Sequence, residues 1–169
     1  MRSHPRTKRG FTLTEMMIAA AITVVTISLT MSSFMTLTKA ATSSASYTHL
    51  HGELRHAMDM IERDLRAGVN VIWAPGPSNG IGLEIKTAAG NERVYYYRQD
   101  TTLYCWKNDR SREIATGLSG VTFSILDADG KPTTIMANAS AVDITLNGST
   151  TVLSKNCTDT LRTRIVMRN

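Results

Sequence analysis

The groups able to do chemistry in this chain are few, and most of their spacings argue against it. Asp127-Ala128-Asp129-Gly130 opens like a calcium loop, but the later ligands and the closing glutamate do not follow, so a turn is the expectation. His49 and His56 share a helical face seven residues apart, two turns and too far for one ion; with His51 they read as solvated or packing side chains. Cys105 and Cys157 form no Cys-x-x-Cys pair and have no histidine cluster beside them, which leaves a metal site without support. Outside the cytosol they would make one candidate disulfide, closing a loop of about 50 residues worth roughly 4 kcal/mol in the chain-entropy model; in the cytosol they would be two buried thiols. No Gly-x-Ser-x-Gly nucleophile turn and no glycine-rich phosphate loop is present. The residues point away from an enzyme, and no catalytic group, metal, cofactor or small-molecule substrate is expected.

Aromatic and basic residues interleave at Tyr95, Tyr96, Tyr97, Tyr104 and Trp106 with Arg93, Arg98, Lys107, Arg110 and Arg112, a composition that can stack and neutralise a single-stranded nucleic acid. Strand alternation would bury about half of those rings, so core packing is the preferred reading and nucleic acid is not an expected partner. The net charge of +5 does not rescue it. Arg2, Arg6, Lys8 and Arg9 precede Gly10 with no acid among them, which leaves 15 basic against 14 acidic side chains in the remainder. The basic pI of about 9.5 comes mostly from the first ten residues, whereas binding needs a basic patch on the folded domain.

One carboxylate does demand an explanation. Met16 to Thr38 is a run of 23 residues without charge, proline or glycine, about 35 Å long as a helix and enough to cross a bilayer core of ~30 Å. Thr23, Thr26, Ser28, Thr30, Ser32, Ser33, Thr36 and Thr38 interrupt it, and their hydroxyls can bond back to helix carbonyls or reach a neighbouring helix. Glu15 stands at its mouth. A secretory signal peptide would have a shorter apolar core, although a cut could be forced near Thr38-Lys39-Ala40. A plain signal anchor, with the basic flank holding the N-terminus in the cytoplasm, accounts for the span and leaves Glu15 unexplained.

The run Arg9-Gly10-Phe11-Thr12-Leu13-Thr14-Glu15, preceded by Lys8, resembles the class III signal of type IV prepilins and of type II secretion pseudopilins. That resemblance implies a cut between Gly10 and Phe11 by a prepilin peptidase, which also methylates the new N-terminus on Phe11. Lys8 and Arg9 are then the basic end of the leader, and Glu15 is the fifth mature residue. A lone amine and a lone carboxylate are each expensive in hydrocarbon, by at least a few kcal/mol, and together they neutralise each other. The pairing can fall within the chain, one helical turn apart, or between Glu15 of one subunit and Phe11 of another, where it would set register. Many major pilins kink this helix with a proline at the position of Ser32; its absence points to a minor pilin or pseudopilin.

Beyond the apolar run, Tyr47, Leu50, Leu54, Ala57, Met58, Ile61 and Leu65 recur at three- and four-residue steps with charges between them, an amphipathic stripe ending near Gly68. Short β-rich runs follow at 82–86, 93–98, 102–107, 121–126, 141–146 and 162–167, separated by turns at 89–91, 108–110 and 127–130. The fold class is α+β and pilin-like: a long N-terminal helix, half membrane and half amphipathic, packed on a C-terminal antiparallel sheet. The expected domains are a leader at 1–10, a transmembrane and assembly helix at 11–38, its amphipathic continuation at 39–67 and a β-rich head at 68–169. The head also resembles PilW-type minor pilins and J-type pseudopilins, through Val94-Tyr95-Tyr96-Tyr97-Arg98, Thr102-Leu103-Tyr104-Cys105-Trp106, the run from Gly120-Val121 through Phe123 to Asp129-Gly130, and the ending Val166-Met167-Arg168-Asn169. Together these imply a single-pass inner-membrane protein with its N-terminus cytoplasmic and its head outside, built into a pilus or pseudopilus as a starting or tip subunit. Its expected partners are the peptidase/methyltransferase, other pilin or pseudopilin subunits and inner-membrane lipid. The alternative reading is an adhesive or DNA-binding tip module.

Overall fold

The computed structural model describes residues 11–74, 80–88 and 90–167. One helix, α1, runs from Leu13 to Ala67. Helix-forming residues and the absence of proline carry it through the apolar run and into the amphipathic stripe without a break. Gly68 then opens strand β1 directly.

Residues through Thr42 make one unit and Ser43–Asn169 another. After Phe11 and Thr12 the first is helix alone among its described residues, and every residue from Phe11 to Thr42 is exposed.

Among the described residues of the second unit, eight strands form two antiparallel sheets, where the sequence leads one to expect a single one. β1 (Gly68–Trp73), β2 (Gly80–Thr87), β3 (Gly90–Gln99), β4 (Thr102–Lys107) and β5 (Arg110–Ala115) pair in chain order as a meander. β6 (Leu118–Leu126), β7 (Ala141–Val152) and β8 (Lys155–Val166) form the second sheet, also in chain order. Such local pairing needs only tight connections, and two residues suffice at 100–101, 108–109 and 153–154. Asn108 and Asp109 both take positive φ between β4 and β5, as a two-residue hairpin turn requires, and both residue types tolerate it. Asp127–Gly130 is a turn, closed by the Gly130 amide on the Asp127 carbonyl at 3.0 Å and by the Asp127 carboxylate on the amides of Asp129 and Lys131. It does not lead straight into the next strand: a bridge from Leu126 to Pro132 and a 3-10 turn at Met136–Asn138 precede β7.

One core gathers the stripe of α1 and the inner faces of both sheets: Leu50, Leu54, Ala57, Met58, Ile61 and Leu65 with Leu83, Val94, Tyr96 and Leu103 of the first and Phe123, Val142, Ile144 and Leu146 of the second. Tyr47, at the start of the stripe, remains exposed. Helix and sheet meet closely at Gly148 of β7, where an added Cβ would lie 2.8 Å from a Leu54 methyl and 2.9 Å from a Leu50 methyl.

Polar bonds reinforce the docking. The Tyr96 hydroxyl donates to the Asp64 carboxylate at 2.6 Å. Glu53 accepts from the Thr116 amide and hydroxyl at 3.0 and 2.9 Å. His51 Nδ1 lies 2.6 Å from Asp159 on β8. His51 is therefore neither merely solvated nor merely packed, but a polar tie between helix and sheet.

Candidate assembly site at the helix N-terminus

The N-terminal end of α1 is built by local hydrogen bonds. Thr12 precedes the first helical residue, and its carbonyl accepts the Met16 amide at 3.2 Å. The Thr12 hydroxyl reaches the Glu15 amide at 3.3 Å, while Glu15 Oε2 accepts from the Thr12 amide at 2.9 Å and the Thr12 hydroxyl at 3.0 Å. This is a capping box, in which N-cap and N3 side chains satisfy each other's free amides. Its signature, Thr-x-x-Glu, was legible at Thr12–Glu15 and names a role for Glu15 that charge reasoning alone misses. The carboxylate also sits at the positive end of the helix dipole. Among the described residues Oε1 of Glu15 accepts no hydrogen bond, so one oxygen is open to a cation from elsewhere. Phe11 is 84% exposed. Gly10, Lys8 and Arg9 lie outside the described residues.

Above the cap the helix presents apolar side chains on all sides. Phe11, Leu13, Met16, Met17, Ile18 and Ile22 are all more than half exposed, and the pattern continues to Leu37. At ~1.5–3 kcal/mol per such side chain, leaving them in water would cost on the order of tens of kcal/mol. The helix is long and apolar enough to cross a membrane, with a mean hydropathy of 1.8 over its best window. Its hydroxyls do not spoil that. Thr23, Thr26, Ser28, Thr30, Ser33, Thr36 and Thr38 each donate to the carbonyl four residues back at 2.7–3.0 Å. Of the two uses open to them in the sequence, this is the intrahelical one.

The remaining candidates do not converge on a site. Cys105 is buried on β4, Cys157 half-buried on β8 with its sulfur 3.8 Å from the Ser43 hydroxyl; both are free thiols on different sheets, and the structure does not join them as the candidate disulfide would. Burial pushes the Cys105 thiol up from its ordinary value, which makes it a poor nucleophile. Among the described residues no three His, Cys, Asp or Glu side chains gather as metal ligands would. Of the five aromatics, only Tyr96 enters the core, fewer than the half expected from alternation; Tyr95, Tyr97, Tyr104 and Trp106 lie partly exposed on the outer face of the first sheet.

A long helix, apolar in its N-terminal part and packed on antiparallel sheets in its C-terminal part, defines a pilin-like α+β protein. Residues 5–31 match the prokaryotic N-terminal methylation motif, the class III signal of type IV pilins and pseudopilins. No curated protein matches the chain. The motif supports a pilin- or pseudopilin-like substrate of prepilin peptidase that assembles with other pilin subunits, and a structural subunit rather than an enzyme. With the apolar helix it fits a single-pass membrane-anchored protein.

Proposed function

We propose that this protein is a minor pilin or pseudopilin subunit, cut between Gly10 and Phe11, methylated on Phe11, and built into a filament through α1, where it starts or caps assembly. The basic leader stays in the cytoplasm and the head faces the other side, as the positive-inside rule directs. The observation that carries the reading is the capped glutamate at the mouth of the uncharged run 16–38 of α1, within the motif at residues 5–31. Thr12 holds Glu15 through Oε2, which fixes the carboxylate at the end of the helix and leaves Oε1 for an ammonium. The Phe11 amine of a neighbouring subunit supplies that ammonium after cleavage. Each charge then loses most of its penalty in hydrocarbon only when subunits meet in register. With no proline at Ser32 the helix runs unbroken past this position, which supports a minor rather than a major subunit.

Glu15→Leu tests this. The variant keeps the span and the Gly10-Phe11 junction, so it should insert and be processed, yet be lost from sheared filaments or cross-linked assemblies. Incorporation at the wild-type level would overturn the pairing role.

A further inference from the structure

The outer face of the first sheet carries an aromatic surface that neither the core nor the assembly helix uses. Tyr95 stands opposite Trp106, and Tyr97 opposite Tyr104, across β3 and β4. The rings touch in series: Trp73 to Tyr95 at 6.1 Å and Tyr95 to Trp106 at 5.3 Å, both edge to face, and Tyr97 stacked on Tyr104 at 5.6 Å. β2 makes room for them. A Cβ on Gly80 would come within 2.6 Å of the Trp73 ring, and one on Gly82 within 2.8 Å of the Tyr95 ring. Two glycines on one face of a central strand weaken it unless something must lie close above. Here the rings do, and they are seated as a surface rather than scattered.

Beside Tyr95 and Trp106 lies an open groove of about 610 Å³, bordered by Arg93, Asn108 and Asp109. Among the described residues those three side chains have no hydrogen-bond or ion-pair partner. The groove also carries no excess of positive charge. Its lining carries one cation, Arg93, against two carboxylates, Glu92 and Asp109, and Glu92 is held by Lys107 at 3.0 Å; Arg98, outside the groove, donates to the Ser119 carbonyl. Arg110 and Arg112 pair with Lys107 and the buried Cys105, which places them on the opposite face of β5. A polyanion binds through an excess of cations, and the groove lining has none. Partly exposed rings next to planar groups that donate and accept in pairs suit a ligand with an apolar C–H face and adjacent hydroxyls.

We propose that the groove beside Trp106 and Tyr95 binds an uncharged glycan, one pyranose ring lying on the Trp106 face while Arg93, Asn108 and Asp109 engage its hydroxyls. This site is independent of cleavage and assembly, so its test neither needs nor bears on them. Full-length protein in a sugar-free amine-oxide detergent is titrated onto immobilised chitohexaose, cellohexaose, maltohexaose and an α-mannan, with a 20-residue oligothymidylate as the polyanion. The expected result is saturable, salt-insensitive binding to at least one of the four glycans, weakened tenfold or more by Trp106→Ala and by Arg93→Ala, with unchanged circular dichroism. Arg93 is exposed, so its variant keeps the test valid should Trp106→Ala unfold. Binding to none of the glycans overturns the proposal. So does salt-sensitive binding of the oligothymidylate alone, glycan binding that both variants retain, or a change of oligomeric state in the variants without a change in glycan binding.

Discussion

Glu15 and Tyr96 show how one side chain can serve two ends. Glu15 caps its own helix through Thr12 and, among the described residues, leaves its other oxygen without a partner at the segment mouth. Tyr96 fills the core and ties α1 to β3 through Asp64. Burial first, and the Asp64 carboxylate second, push the Tyr96 phenol far above the ordinary tyrosine value. A raised folded pKa favours the protonated form in the native state. The stabilisation is therefore complete below about pH 10, where an unfolded tyrosine stays neutral, and is lost as pH rises toward the folded value. Cys105, pushed up by burial, adds a loss of the same sign from about pH 8.5. Urea melts across pH 7–11.5 should show stability falling in the alkaline range. Tyr96→Phe should flatten the part above about pH 10 and, near neutrality, cost about 1–3 kcal/mol, because Asp64 loses its donor. An unchanged alkaline slope in that variant would remove Tyr96 as its source.

The elements differ in how openly the sequence declares them. α1 is legible from end to end, because a charge-free run and a stripe of period 3.6 both survive in the fold. β4 coincides with its run at 102–107, and β2, β3 and β6 extend theirs by three or four residues, while β7 and β8 are twice as long as theirs and β8 stops one residue short of its run, at Val166. Two strands have no such pattern. Arg110–Ala115 is an edge strand with exposed residues on both faces up to Ile114, so nothing alternates. Gly68–Trp73 follows the helix with no intervening turn and carries two register shifts against β2, which scramble its period. The division into two sheets is likewise hidden, since it depends on which strand edges stay unpaired. The capping box was visible in residue types alone; the outward turn of Tyr95, Tyr97, Tyr104 and Trp106 follows from register. Gly148 marks where helix and sheet touch. Gly148→Val should force the Leu50 and Leu54 methyls aside and destabilise the head by about 1–3 kcal/mol in urea unfolding. A wild-type midpoint would mean that the contact yields freely.

At the scale of the molecule, charge and apolar surface are divided along the chain. Four of the 19 basic side chains lie ahead of Phe11, with no acid among them, and the exposed apolar residues follow at once. Removing residues 1–10 would take the formal net charge from +5 to +1. Isoelectric focusing in detergent should show the mature form well to the acidic side of the uncut precursor; comigration would contradict processing at the leader. The resulting chain would begin with an uncharged apolar run closed by one amine and one carboxylate, and the whole would be nearly neutral.

Intact-mass spectrometry of the protein recovered from membranes that contain a prepilin peptidase tests the central claim most directly. The account predicts a chain that begins at Phe11, lacks residues 1–10 and carries one added methyl group. A full-length, unmodified mass from the same membranes would contradict it.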